Sequence, residues 1–200
     1  VYGPIYHNAY MSCANKAYGY DKKHQNHLAL VEQMICKDKL PRQIAKAKSF
    51  EELFLLLRTY PLIGDFMAYQ LATDINYSEV TNFSENEFTI VGPGSQRGIH
   101  KCFHDLQGKS YSYIIRWMQE NQVREFARLG IDFQSLWGRS LQLIDCQGLF
   151  CETDKYCRVA YPELKSNRKK IKATYKSILQ PIDYFYPPKW GINEKMSNQI

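Results

Sequence analysis

The sequence has no apolar run that could cross a membrane. Its longest purely apolar stretch is about five residues, at 53–57, where a spanning helix needs roughly 18 or more. An initial Met, a basic N-terminal region and an apolar leader are also missing. We therefore expect no membrane partner, and we interpret the chain as a fragment of a longer protein.

Glycine and proline, at 11 and 8 in 200 residues, are too few for a collagen-like or low-complexity chain. With 44% hydrophobic and 14% aromatic residues, the chain can bury a core, and its length fits one domain. We predict a single helical domain over 1–200.

The six cysteines form no recognisable metal or disulfide pattern. Cys146, Cys151 and Cys157 are spaced five and six residues apart, so on a helix they would point away from one another. His100 and His104 have the i, i+4 spacing of a metal-binding helix, but no third ligand accompanies them. We predict reduced thiols and no metal centre.

The net charge of +6 is concentrated near the end of the chain. Between Glu163 and Lys176 one acid accompanies six cations: Lys165, Arg168, Lys169, Lys170, Lys172 and Lys176. Cations of this kind neutralise phosphates, and nearby tyrosines can stack on bases. Arg168, Lys169, Lys170 and Lys172 are therefore predicted to contact DNA, and the alternative is a solvated surface helix. Within 162–200 this basic segment precedes an extended tail rich in proline and aromatic residues.

Hydrophobic periodicity predicts an all-α fold. The region 24–78 is expected to hold a helix at about 24–37, a short helix from Pro41, a capped helix from Ser49 and another after Gly64. In 92–161 we expect a helix from Ser95 after a Gly-Pro-Gly turn, then helices at about 112–128 and 141–161.

The segment 60–68, Tyr-Pro-Leu-Ile-Gly-Asp-Phe-Met-Ala, resembles the helix-hairpin-helix motif of DNA glycosylases and repair proteins. In that motif glycine allows a tight turn, and amides at the second helix's N-terminus face a DNA phosphate. Gly64 is accordingly predicted to contact DNA, with an ordinary helical corner as the alternative. Bifunctional glycosylases of this type place a lysine where this chain has Phe66 and a downstream aspartate where it has Val91, so a Schiff-base lyase is not expected.

Four ordered motifs extend a more specific resemblance over almost the whole chain. They are Asn26–Glu32, Gly64–Gln70 continuing through Asp74–Ser78, Gly92–Gly98, and Asp145–Gln147 continuing through Cys151–Tyr156. The chain resembles the DNA base hypermodification family. This is the helical domain associated with 5-hydroxymethyluracil DNA kinases, also called α-glutamyl/putrescinyl-thymine pyrophosphorylase.

This resemblance implies a glycosylase-like helical scaffold that acts on modified thymine bases in phage DNA. It also implies that an amino acid or polyamine displaces pyrophosphate from a 5-methylene group. The implied partners are DNA with modified pyrimidines, a 5-hydroxymethyluracil DNA kinase and the amine co-substrate. The implied location is the cytoplasm, that of the host cell if the chain is phage-encoded. Relatives carry a helical segment before the position of Val1, which supports truncation.

One face of the last long helix carries two carboxylates, an amine and a phenol: Asp145, Glu152, Lys155 and Tyr156. Such a set could deprotonate an incoming amine or hold Mg²⁺, the candidate cofactor, against a pyrophosphate leaving group. We predict a partly buried site with Asp145, Glu152 and Lys155 as catalytic residues and Tyr156 as a substrate contact. A surface ion-pair stripe is the alternative.

The Gly-Pro-Gly segment forms the second candidate site. Gly92 and Gly94 would let the backbone approach an anion, Gln96 and Arg97 would bind substrate, and Lys101 would bind DNA. The glycine spacing fits neither a P-loop nor a dinucleotide fingerprint. At Gly-Lys-Ser 108–110 the first P-loop glycine is replaced by Phe103, so the chain contains no kinase motif.

A third group lies on or after the second hairpin helix. Gln70 and Tyr77 could bind the edge and face of an extruded base, and Asp74 could act in catalysis. Three functions remain open at this point: base hypermodification by transfer, glycosylase-type excision with Asp74 or Asp145 stabilising the sugar cation, and a non-catalytic DNA-binding module that serves a separate kinase or transferase.

Overall fold

The computed structural model describes residues 15–164, 179–181 and 183–197, and the structural statements below concern these residues. The predicted DNA contacts Arg168, Lys169, Lys170 and Lys172 lie outside them. The α-helices are α1 (Lys23–Glu32), α2 (Leu40–Ile44), α3 (Phe50–Arg58), α4 (Asp65–Tyr77), α5 (Pro93–Cys102), α6 (Tyr111–Leu129), α7 (Leu143–Ala160) and α8 (Asn193–Ser197).

The predicted all-α class is confirmed. In the described residues the only β-pairing is an isolated antiparallel bridge between Leu136 and Arg139. None of the described helices is long and apolar enough to cross a lipid bilayer.

The first half of the fold is built around α3 and α4, which pack against each other. Helix α3 begins where predicted, because the Ser49 side chain accepts a hydrogen bond from the backbone amide of Glu52. Its apolar side chains Leu53, Phe54 and Leu57 are buried, as is Tyr69 of α4. Helices α1 and α2 and the phenylalanines of the loop 78–92 complete this core.

The hairpin between α3 and α4 turns differently from the prediction. Leu62 takes the left-handed conformation, with φ of 71°, whereas Gly64 has φ of −84° and open space where a Cβ would lie. The tight turn is therefore made by Leu62 and does not require the glycine. Asp65 occupies the first turn of α4 and is paired with Arg58. Phosphate contact by Gly64 stays a prediction.

The second half consists of α5, α6 and α7 around Ile99, Ile115, Leu143 and Phe150. Ser110 caps α6 by accepting from the amide of Tyr113, and the left-handed Gly130 ends that helix. The Gly-Lys-Ser segment thus ends in a helix cap.

Three predicted boundaries need correction. Helix α5 starts at Pro93 and not at Ser95, because proline fits the first helical position, where no intrahelical donor is needed. The helix predicted at about 24–37 becomes α1 followed by a π-helical turn at Gln33–Lys37. The tail is not wholly extended, since it contains a 3-10 turn at Pro188–Trp190 and α8.

Helices α5 and α7 approach each other closely at Gly98. A Cβ added to Gly98 of α5 would lie 1.9 Å from the backbone oxygen of Phe150. The two backbones could not keep their separation with any larger residue at this position.

We predict that Gly98→Ala lowers the free energy of unfolding by about 1–3 kcal/mol, because backbone atoms must move apart. Gly148→Ala on α7 is the matched control. Its Cβ would meet nothing within 4 Å, and alanine stabilises a helix by up to about 1 kcal/mol relative to glycine. Urea denaturation of both variants checks the prediction. Equal stability of the two variants would contradict the close contact.

Candidate functional site

The contact between α5 and α7 brings four charged side chains together. Asp154 of α7 is fully buried and receives hydrogen bonds from three cations. Lys101 Nζ lies 2.7 Å from Oδ1, Arg97 Nε lies 3.1 Å from Oδ2, and Arg158 Nη2 lies 2.5 Å from Oδ2. We call Arg97, Lys101, Asp154 and Arg158 the cation cluster.

The cation cluster carries more positive charge than its carboxylate can neutralise. Burial of the Asp154 carboxyl opposes ionisation, but hydrogen bonds from Lys101, Arg158 and Arg97 outweigh it and lower its pKa to about 2. Asp154 is therefore ionised at neutral pH, and three cations surround one anion. The side chains of Lys101 and Arg158 are 6% and 9% exposed, whereas that of Arg97 is 31% exposed. Arg97 is thus the member that faces solvent.

The sequence motifs predict Arg97 and Lys101 as binding residues, but they do not predict Asp154 and Arg158. A usable signal was present. Cys146, Phe150 and Cys157 of α7 are buried, and Asp154 lies on the same helical face. A carboxylate on an apolar face needs cationic partners. Arg158 follows it at the i+4 spacing that allows such a pair.

The predicted catalytic face of α7 is not one site. Glu152 pairs with Lys155 at the surface, where their side chains are 66% and 47% exposed, and Tyr156 is also exposed. The expectation of a partly buried site is therefore wrong for these three residues. Their side chains lie on the solvent side of α7, while the buried side carries Asp154.

Asp145 lies at the other end of α7 and has different partners. It closes a capping box by accepting from the backbone amide of Gln142, and it binds Arg139 at 2.9 Å. Arg139 also binds Glu85 at 2.7 Å and lies 3.8 Å above the Trp190 ring, whose indole donates to Glu85. This network joins the tail to the start of α7.

Asp145 and Glu152 are thus held by separate cations, and they do not form a paired carboxylate site for Mg²⁺. In the described ranges no group of three or more His, Cys, Asp or Glu side chains is arranged to hold a metal ion.

The third predicted group is divided between two environments. Tyr77 packs edge-on against Trp190, with ring centroids 5.2 Å apart, and its pKa is raised by burial and by the charges of Glu85 and Asp145. Tyr77 therefore belongs with the Asp145 network. Asp74 lies on the exposed side of α4, where partial desolvation raises the pKa of its carboxyl, and Gln70 is half-buried.

Gly92, which precedes α5, packs against Phe66 of α4. A Cβ on Gly92 would lie 2.7 Å from the ring of Phe66, in the first turn of α4, and 3.2 Å from Nε2 of the buried Gln147. The start of α5 therefore adjoins the start of α4. Gly94 faces Cys151 Sγ, at 2.7 Å from an added Cβ, so its small size serves helix packing. Gln96 is exposed on α5.

Comparison with known proteins places the chain in a family. Residues 2–166 match the family described as "5-hmdU DNA kinase, helical domain", so the chain belongs to that family.

One curated relative is the "5-hmdU DNA kinase" of Bacillus phage SP10. It is 30% identical over 115 residues, which cover 54% of this chain and 18% of the relative. The match therefore spans less than a fifth of that protein. No solved structure is significantly similar to the chain.

We predict that Asp154 stabilises the fold above about pH 4 and that this contribution disappears as the pH falls toward 2. Its folded pKa of about 2 is below the usual unfolded value of about 3.9, so the unfolded chain takes up the proton first on acidification. The contribution is about 2 kcal/mol, measured as the decline in unfolding free energy over that pH range.

The variant Asp154→Asn should lose about 3 kcal/mol or more at pH 7, because three cations would lose their anion. The decline in unfolding free energy that Asp154 causes between about pH 4 and pH 2 should also be absent from this variant. Asp65→Asn, which removes an exposed partner of Arg58, should cost about 1 kcal/mol or less. Equal losses for the two variants would contradict the role given to Asp154.

Proposed function

We propose that this chain is a DNA-binding domain that acts in the hypermodification of thymine-derived bases. Its substrate would be DNA that carries 5-hydroxymethyluracil or its pyrophosphate. Membership of the 5-hmdU DNA kinase helical-domain family supports the substrate class. The cation cluster is the observation that supports contact with a polyanion.

Arg97 is the central phosphate ligand in this proposal. Its Nε donates to Asp154, which fixes the plane of the guanidinium while its side chain remains 31% exposed. A guanidinium held in this way can direct its terminal nitrogens at a phosphate with little loss of side-chain entropy. Lys101 and Arg158 add charge from behind it. An incoming phosphate would balance the excess positive charge of the cluster.

The end of α7 extends this surface. Tyr156 and Tyr161 are exposed and pack edge to face, with ring centroids 6.1 Å apart. The basic segment at 165–178 follows directly in the sequence. Aromatic rings beside cations suit a nucleic acid backbone and its bases, so this end of the helix would continue the DNA contact.

In the proposed chemical step, the amine nitrogen of an amino acid or polyamine bonds to the 5-methylene carbon. The carbon–oxygen bond to pyrophosphate breaks, pyrophosphate leaves with the electron pair, and the amine loses a proton. Glu152 and Lys155 are exposed to solvent and are candidates for proton transfer to and from the amine. Asp145 and Asp74 remain further candidates for catalysis. Gln70, Gln96, Tyr77 and Tyr156 remain candidates for base and substrate contacts, with a separate DNA kinase as the candidate partner protein.

We predict that Arg97→Gln weakens binding to duplex DNA by about tenfold at low salt. The slope of log affinity against log salt should fall by about 0.9, as expected for one lost phosphate contact. Arg128→Gln is the matched control, because Arg128 is an exposed arginine of α6 that pairs with Glu125. Fluorescence anisotropy over a salt series measures both variants. Identical salt slopes for the two variants would remove Arg97 from the DNA contact.

Nucleoside mass spectrometry separates the three functions. The longer protein that contains this chain would be incubated with DNA carrying 5-hydroxymethyluracil or its pyrophosphate, together with amino acids, polyamines and Mg²⁺. We expect nucleosides of higher mass, whereas abasic sites would identify an excising enzyme and unchanged nucleosides a binding module. Glu152→Gln should reduce the yield of the heavier nucleosides at least tenfold, because the variant lacks a proton acceptor. An unaltered yield would exclude Glu152 from the chemistry.

A further inference from the structure

A groove of about 210 Å³ lies between the end of α5 and the start of α6. Its walls are mainly aromatic and aliphatic side chains: Phe103, Leu106, Tyr113, Ile114 and Trp117, with Asp105, Gln107 and Lys109 at its polar edge. All three aromatic side chains are exposed to solvent: Phe103 and Trp117 are each 39% exposed, and Tyr113 is 46% exposed.

We propose that this groove binds one unstacked nucleobase of a DNA strand. The proposal rests on the DNA-binding function proposed above and identifies a second contact for the same ligand. No residue of the groove is among the binding or catalytic residues considered so far.

The chemistry of the walls matches a base better than a chain of aliphatic groups. Exposed aromatic rings offer flat faces to any nucleobase, and stacking of this kind tolerates every base. Cations stand beside two of the rings, with Lys109 Nζ 4.7 Å from the Tyr113 centroid and the Arg124 guanidinium 6.0 Å from that of Trp117. Arg124 pairs with Glu125 at 3.0 Å, so Lys109 is the cation that would lie near the phosphate of a base in the groove.

The charge at the edge of the groove is available for a phosphate. Among the described residues no carboxylate forms an ion pair with Lys109. Asp105, the one acid in the wall, accepts a hydrogen bond from the backbone amide of Gln107 at 2.9 Å. An anionic strand is thus favoured at Lys109 over a cationic ligand.

The groove lies beside the contact between α5 and α7. Phe103 follows Lys101 by two residues, and its ring lies 6.3 Å from that of Phe150, one turn before Asp154 on α7. In this proposal, the strand whose phosphate contacts Arg97 also supplies the base that enters the groove. The groove therefore suits a base that has left the stack in a locally opened strand.

Replacement of Trp117 by leucine tests the proposal, because leucine keeps the wall apolar but removes the stacking face. We expect Trp117→Leu to weaken binding to single-stranded DNA by about tenfold, the scale of one stacked base, and to change binding to blunt duplex by less than twofold. Tyr20→Leu, at an exposed tyrosine in the other half of the fold, should change neither. Circular dichroism and thermal unfolding would establish that each variant folds.

Photo-crosslinking gives a readout that does not depend on a variant. Single strands containing 5-iodouracil should crosslink to Trp117 or Tyr113, as located by peptide mass spectrometry. If Arg97→Gln weakens DNA binding but Trp117→Leu binds single strands normally and crosslinks map elsewhere, the groove proposal is overturned while the proposed function stands. If the unaltered protein binds neither form of DNA, the proposed function itself fails.

Discussion

The close approach of α5 to α7 at Gly98 is the constraint on which the candidate site depends. With no side chain at Gly98, the helix backbones meet. Arg97, one residue before it, and Lys101, three residues after it, can then reach Asp154. Ser95 strengthens the same contact by donating from Oγ to the backbone oxygen of Gln147 at 2.8 Å. A wider separation would leave the buried carboxylate without partners, which is costly in a low-dielectric interior. Packing and electrostatics therefore stabilise one arrangement.

The two charged networks of α7 differ in what they can do. At the start of the helix, Arg139 is held between Glu85 and Asp145 and covered by Trp190, so its charge is already balanced. Near the end of the helix, three cations share Asp154, and the excess charge faces solvent through Arg97. The first network is suited to holding the tail against the helices, and the second to binding an anion. This contrast favours the surface at Arg97, and not the start of α7, for the proposed DNA contact.

The local sequence was sufficient to predict several helix ends, because the interactions that set them involve neighbouring residues. Ser49 and Ser110 cap the helices that follow them, and Gly130 ends α6 in the left-handed conformation. The prediction was wrong at the Gly-Pro-Gly segment because proline can either end a helix or occupy its first position. It was also wrong about the burial of Glu152 and Lys155, since helical periodicity shows which residues share a face but not which neighbour covers that face.

The sequence by itself determined the helical class, most helix positions and the family, because periodicity, caps and ordered motifs are properties of short segments. Only the tertiary structure decided that Asp154 is the carboxylate that binds Arg97 and Lys101 of α5, and that Asp145 binds Arg139. Lys101 and Arg97 are 53 and 57 residues from Asp154, and Arg139 precedes α7, six residues before Asp145. Their pairing depends on helix separation and rotation, which are set by side-chain volumes across the whole interface, including the missing Cβ of Gly98.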